Sequence, residues 1–275
     1  PHGTFIYGWV MDNLKRQHEK FSSYDLLPRT SVLLVGTELD QEYFSDISGL
    51  ENIHVVGHPK LDEQWIRKRS RESNREQEGA WIGSSNANIL FLQYPARRFS
   101  SIEKFSKLTQ TVLEQGQRLS MPVNIRRHPR QDIEEIQSLL NSDDRISRVN
   151  IASESILACA MKSLFSVGFP TSGGMDAIAA GIPAIEFLDF EGETWSTFAR
   201  HPGGKNTSVF RKLELVMGVD DRKELEATID SLLSKADFRK EISEYQKKCL
   251  EEITGIGRES VNKCVSVIKQ SVGWG

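Results

Sequence analysis

The sequence is poor in several things, and each shortage excludes something. Its three cysteines, Cys159, Cys249 and Cys264, are too few and too widely spaced for a disulfide framework or a zinc pattern. A reducing cytosol is the compartment this usage implies. No apolar run approaches the roughly 18 residues that a membrane-spanning helix needs. Positive charge is not in excess either: 35 Lys and Arg stand against 38 Asp and Glu, a formal net charge of −3, which leaves no general nucleic-acid footprint. There is no internal repeat and no signal-peptide pattern. There is also no initial methionine; Pro1-His2-Gly3-Thr4 reads as the interior of a longer protein, so a piece lacking N-terminal residues is expected.

What remains is the composition of a globular protein, 38% hydrophobic and 27% charged, at a length that suits about two domains. Residues 163–189 carry the strongest pattern. Leu164, Phe165 and Val167 form an apolar run too short for a helix and stopped by Gly168 and Pro170, as in a buried parallel strand. The loop Thr171-Ser172-Gly173-Gly174 follows, then helix formers from Met175 to Ala180 ended by Gly181 and Pro183, then a second strand over 184–188. A strand, turn, helix, strand unit of this kind turns backbone N–H groups and the positive end of a helix dipole toward an anion. Two glycines let the main chain approach a phosphate closely, and Ser172 can cap the helix. Asp176, a turn further on, is badly placed for a phosphate and well placed to accept hydrogen bonds from a ribose diol. The plainer alternative is that Ser-Gly-Gly caps a short helix and Asp176 favours its first turn.

Elsewhere the apolar runs over 32–36 and 53–57 read as strands that end one α/β domain. Residues 67–88, charged and then Gly/Ser-rich, read as a linker or exposed loop. A second α/β unit begins with a strand over 89–94, then a helix opened by Ser101 with Ile102, Phe105, Leu108, Val112 and Leu113 at helical spacing. A strand over 122–126 and a helix over 131–140 follow. Alternating strands and helices predict a parallel sheet with right-handed crossovers, which places loops 95–100, 126–130 and 170–174 on its carboxyl edge, where ligands bind. The long loop 190–207 contains His201 and Lys205 and has the length of a functional loop. A helix over 222–235 and a charged helical tail over 238–268 complete the chain. The expected domains are therefore 1–66, a linker at 67–88, 89–236, and a helical tail at 237–275.

Three motifs stand in a telling order: Gly57-His58-Pro59-Lys60-Leu61-Asp62, Arg127-His128-Pro129, and Thr171-Ser172-Gly173-Gly174-Met175-Asp176-Ala177-Ile178-Ala179-Ala180-Gly181-Ile182-Pro183. Together they resemble the C-terminal half of GT-B glycosyltransferases of bacterial surface-carbohydrate synthesis. The resemblance implies an α/β fold of two Rossmann-like domains with parallel sheets, the first only partly present. It puts Asp176 in the place of the family's ribose-binding carboxylate, though glutamate is usual there. It puts Thr171, Ser172, Gly173 and Gly174 at the donor's diphosphate, with Arg127 and His128 near its phosphates or base. Gly57, Pro59 and Asp62 would form the interdomain hinge. His2-Gly3 resembles the histidine-glycine loop of CDP-glycerol glycerophosphotransferase-like enzymes, which makes His2 the candidate catalytic base.

The implied function is transfer of a sugar, or a glycerol-phosphate-like unit, from a nucleotide-activated donor to a glycan or lipid-linked acceptor at the cell surface. Backbone amides with His128 and Arg127 would stabilise charge on the leaving phosphate without a metal. The D-x-D element usual in metal-dependent transferases is missing, and Asp189-Phe190-Glu191 comes closest; neither a metal nor a cofactor beyond the donor substrate is expected. The implied setting is cytoplasmic, compatible with peripheral contact at the inner face of the cell membrane, and nucleic acid is not an expected partner. Two other readings stay open. Non-hydrolysing UDP-N-acetylglucosamine 2-epimerases share the fold, a His-Pro loop and an S-G-G segment, but run S-G-G-x-Q-E-E where Met175 is followed here by Asp176-Ala177-Ile178. A non-catalytic carbohydrate-binding or assembly module would keep the fold without the chemistry.

Overall fold

Strands buried on both faces must be apolar at nearly every position, and this chain supplies them in short bursts. The computed structural model describes residues 32–36, 52–68, 88–141, 148–191, 193, 198–200, 206–254 and 259–273, with isolated residues 38, 41 and 45. The chain divides into two compact units, residues 1–67 with 250–275, and residues 68–249.

In the first unit, β1 (Leu33–Val35) pairs in parallel with β2 (Ile53–Val55). The turn after β2 begins at Gly57, whose φ of +79° favours glycine. Pro59–Leu61 then form one 3-10 turn, and Asp62 accepts a hydrogen bond from the Gln64 amide (3.0 Å) as residues 63–68 become helical. His58 is 1% exposed, and a Cβ added at Gly36 would lie 2.1 Å from its ring, so the two strand ends close over the imidazole. Burial, with Lys60's charge adding to it, lowers the His58 pKa from 6.5 to about 4. The folded state therefore binds this proton less readily than the unfolded state. Stability is full above about pH 6.5 and is lost as pH falls toward 4, by up to about 3 kcal/mol. Denaturant unfolding measured from pH 8 to pH 4 should show that loss, and His58→Gln should flatten it.

The second unit is built on one six-stranded sheet. Along the chain come β3 (Asn88–Leu92), α1 (Ile102–Arg118), β4 (Val123–Arg126), α2 (Ile133–Asn141), β5 (Val149–Ile151), α3 (Ile156–Ala160), β6 (Ser163–Gly168), α4 (Gly173–Ala179) and β7 (Ala184–Phe187). The antiparallel pair β8 (Phe198–Arg200) and β9 (Asn206–Ser208) follows, then α5 (Val209–Lys212), β10 (Met217–Val219), α6 (Arg222–Ser234) and α7 (Ala236–Thr254). Helix α8 (Ser260–Ser271) belongs to the first unit. Residues 190–207 were expected to be a single loop, and β8 and most of β9 lie within it. Likewise the single charged tail is two helices, α7 and α8. Strands of three residues leave no periodicity to read, which is also why β5 and β10 escape detection.

The sheet order is β10-β7-β6-β3-β4-β5, with every pair parallel. Numbered by their appearance along the chain, these strands run 3-2-1-4-5-6 from β5 to β10, so the winding direction reverses between β3 and β6. On one face α1 and α6 pack through Phe105, Val112, Leu113, Leu225, Ile229 and Leu232. Ser101 caps α1 by accepting a hydrogen bond from the Lys104 amide (3.1 Å). On the opposite face Leu90 and Leu92 meet Cys159, Ala160 and Ala177 of α3 and α4. Small residues on those helices bring them close to the strand ends.

Candidate functional site

The winding reverses between β3 and β6, and the carboxyl ends of strands at such a reversal are the place where an open α/β sheet holds ligands. Here Gly168 and Leu92 lie in register, and a Cβ on Gly168 would stand 2.8 Å from the Leu92 Cβ. The Phe169 amide donates to the Leu92 carbonyl (3.2 Å), and the Gln93 amide to the Arg126 carbonyl (3.1 Å), as the chain leaves the sheet. Beneath the β6 loop lies an aromatic cluster. The Phe169 ring packs against Phe99 (4.8 Å, 78°), Phe91 (5.5 Å, 67°) and Phe105 (6.1 Å).

The turn after β6 is tighter than its sequence suggests. Helix α4 begins at Gly173, and the expected open N–H groups are engaged within the turn: Gly173 N–H donates to Thr171 Oγ1 (3.4 Å), Gly174 N–H to Thr171 O (3.1 Å) and Met175 N–H to Ser172 O (3.1 Å). Ser172 already has helical dihedrals and makes no side-chain capping bond. Gly173 has a packing reason, since a Cβ there would lie 2.9 Å from Ile156 Cδ1, whereas at Gly174 the nearest atom would be 3.7 Å away. Asp176 stands in the first turn of α4, partly buried.

The loop after β4 folds on itself. Arg127 Nη1 donates to the Gln131 carbonyl, and the Gln131 amide donates to His128 O (3.0 Å). His128 Nδ1 accepts from the Arg130 amide (3.1 Å), and its ring lies 5.0 Å from the Tyr94 ring, which follows β3. With Nδ1 serving as acceptor, the neutral imidazole carries its proton on Nε2, as a donor. Below the loop, buried Gln131 donates to Gln93 Oε1 (2.9 Å), and Gln93 donates to Thr109 Oγ1 (3.4 Å).

Two further polar networks hold the edge. Glu193, with no exposed side-chain surface, accepts from the Ser100 amide and hydroxyl (both 2.9 Å) and pairs with Lys104 (3.0 Å). Lys104 also donates to the carbonyls of Asp189 (2.9 Å) and Glu191 (2.8 Å), tying the loop after β7 to the first turn of α1. At the outer strands, Arg211 of α5 reaches across Gly218 to Glu186 (2.8 Å), to Asp220, and to the carbonyls of Glu186, Leu188 and Val219. Its guanidinium also lies 4.9 Å from the Phe190 ring centre. A groove of about 880 Å³ opens between α1 and the ends of β7 and β10, lined by acids and bases together, Lys104, Lys107, Asp189, Glu191 and Arg222 among them. Among the described residues there is no cluster of three His, Cys, Asp or Glu side chains placed for a metal, and no helix is long and apolar enough to cross a membrane.

Of the residues singled out from sequence, Arg127 and His128 follow β4 while Thr171, Ser172, Gly173, Gly174 and Asp176 follow β6, so both groups stand on one edge of one sheet and flank β3. Gly57, Pro59 and Asp62 belong to the first unit. His2, His201 and Lys205, and most of the proposed linker, lie outside the described residues. Tyr94, Lys104, Glu193 and Arg126 were not anticipated. Only Arg126 left a trace in the sequence: it ends a strand in which apolar Val123 and Ile125 alternate with polar positions.

No protein-family model matches this sequence, and no curated protein matches it either. Solved structures do. The wall teichoic acid polymerase TagF superposes with a TM-score of 0.58 at 12% identity, over 94% of this chain and 62% of that one. The UDP-GlcNAc 2-epimerase of Neisseria meningitidis, bound to UDP-GlcNAc, gives 0.56 at 15% identity, over 86% and 61%. That of Methanocaldococcus jannaschii, in complex with UDP-GlcNAc and UDP, gives 0.54 at 14%, over 87% and 61%. The chain spans about three fifths of the length of these proteins. At such identities the likeness is one of fold, and the fold is the GT-B type of Rossmann-like parallel sheets.

Proposed function

We propose that this chain is the nucleotide-donor part of a glycosyltransferase, one that moves a sugar or a glycerol-phosphate-like unit from a nucleotide-activated donor to a surface glycan or lipid-linked acceptor without a metal. The observation that carries the reading is the juxtaposition at the winding reversal: Tyr94 after β3, His128 after β4 and the Thr171-to-Asp176 turn after β6 stand together on the carboxyl edge. In this reading His128 donates from Nε2 to a phosphate oxygen of the leaving nucleotide, where negative charge accumulates as the sugar departs. Asp176 accepts from the ribose hydroxyls. The loop after β6 holds the diphosphate, with Gly174 leaving room for close approach of the main chain. His2 remains the candidate base for the acceptor hydroxyl, and Gly57, Pro59 and Asp62 the candidate hinge. Work on a membrane-linked glycan from the cytoplasmic side is part of the same proposal.

Calorimetric titration of the chain with UDP, CDP, CMP and GDP, with and without EDTA, tests this. One nucleotide should bind in the micromolar range irrespective of EDTA, and Asp176→Ala and His128→Ala should each weaken it by about 1–3 kcal/mol. Absence of binding by any nucleotide to the folded chain overturns the reading. The fold likeness to epimerases favours one second outcome. Conversion of UDP-GlcNAc to its 2-epimer with no acceptor present would replace transfer by epimerisation.

A further inference from the structure

Arg126 ends β4 beside the winding reversal, and its guanidinium has no hydrogen-bond or ion-pair partner among the described residues. Its Nε is completely enclosed and unsatisfied. Arginine donors removed from water are nearly always bonded to something, and a planar guanidinium matches phosphate oxygens in pairs. The neighbouring Arg127, by contrast, is committed to the Gln131 carbonyl and so to the shape of its own loop.

Strand alternation decides where Arg126 lies. Val123 and Ile125 belong to the core under α1, which places Asn124 and Arg126 on the other face, with α3 and α4. Its register partner on β3 is Leu92. The same Leu92 lies 3.6 Å from a Cβ built on Gly173, and Ile156 at the start of α3 lies 2.9 Å from it. The charge of Arg126 is felt at Cys159 of α3. Glu154, just before α3, is bound to Lys162 at 2.6 Å. A partly buried cation thus stands with only β3 between its own strand and β6, and with no ion-pair partner among the described residues.

Resting on the nucleotide-donor reading above, we propose that Arg126 is the residue that binds the donor's diphosphate, while Arg127 is a scaffold residue of the loop. The ligand chemistry is a pair of phosphoryl groups carried by a nucleoside. Calorimetry on the full chain and its Arg126→Gln, Arg126→Lys and Arg127→Gln variants tests this, with UDP, CDP and inorganic pyrophosphate as probes and denaturant unfolding run in parallel. Arg126→Gln should weaken the nucleoside diphosphate at least tenfold, abolish its displacement by pyrophosphate and reduce the salt dependence of binding. Arg126→Lys should fall between, and neither variant should lower the unfolding midpoint, because the guanidinium makes no bond to another described residue. Arg127→Gln should instead lower the midpoint, through loss of the bond to the Gln131 carbonyl that shapes its loop. Unchanged affinity in Arg126→Gln, or a midpoint lowered as far as in Arg127→Gln, overturns the assignment. Wild-type chain that binds pyrophosphate through Arg126 but no nucleotide would support the anion site while overturning the donor reading.

Discussion

Replacing Phe169 by alanine is expected to remove about 3–5 kcal/mol of folding stability, the range for emptying a buried aromatic site. Phe169 is 2% exposed and its ring is contacted by Phe91, Phe99 and Phe105, so few neighbours can collapse into the space. The same residue is followed at once by Pro170 and Thr171. The loop after β6 therefore takes its height above the sheet from this ring. Urea unfolding should register the loss as a lower midpoint, and under the proposed donor function nucleotide affinity should fall even where the variant is fully folded. Phe169→Leu, which keeps most of the volume, should cost less than about 1.5 kcal/mol. A loss below 1 kcal/mol for the alanine variant would show that the aromatic cluster does not support the loop.

An effect of similar size is expected from Arg211→Leu. Glu186 is 3% exposed, and removing its guanidinium partner leaves an enclosed carboxylate that only Ser208 bonds among the described residues. Breaking one side of a buried pair costs about 3–5 kcal/mol. The cost depends on pH in a definite direction. Burial pushes the Glu186 pKa from 4.5 up to about 7, against the pull of Arg211. A pKa raised on folding contributes stability below about pH 4.5 that is lost as pH rises toward 7. With Arg211 gone the acid needs its proton still more, so the variant should be weakest at pH 8 and recover much of the loss at pH 5. Glu186→Gln in the same background should recover it at both. A pH-independent loss would mean that the carbonyl contacts of Arg211, rather than the carboxylate, carry the effect.

These two positions mark how far the sequence could be read. The parallel sheet was legible because Ile89-Leu90-Phe91-Leu92 and Leu164-Phe165-Ser166-Val167 are runs that only a strand covered on both faces explains, and the spacing of Phe105, Leu108 and Val112 identified the helix between. From that alternation followed the shared carboxyl edge on which the loops after β3, β4 and β6 stand. The contacts that shape the edge were not legible, because they join residues far apart in the chain. Glu193 meets Ser100 across 93 positions, and Arg211 meets Glu186 across 25. Neither pair lies within the reach of a helical or strand repeat. Gly173 reads in sequence as a glycine that admits a phosphate, yet Ile156 gives it a steric reason that only the fold supplies. Arg126 and Arg127 are adjacent and identical in type, and only the fold separates a cation without a bonding partner among the described residues from one that braces a loop.

A quieter feature sits at the start of β7. Gln246 of α7 accepts from the Ala184 amide and donates to the Ala184 carbonyl, both at 2.9 Å and both buried. One side-chain amide thus imitates the peptide of an extra strand, and a helix stands in for a strand at a point where β10, which pairs with β7 only from Ile185 onward, does not reach. The imitation requires one giver and one receiver at the same tip. Glutamate has the shape but no hydrogen to give, lysine has hydrogens but no lone pair to receive them, and asparagine is a methylene short. The attachment of α7 to the sheet is therefore written in a single amide, and at position 246 size and charge tolerance count for nothing beside that two-way grammar.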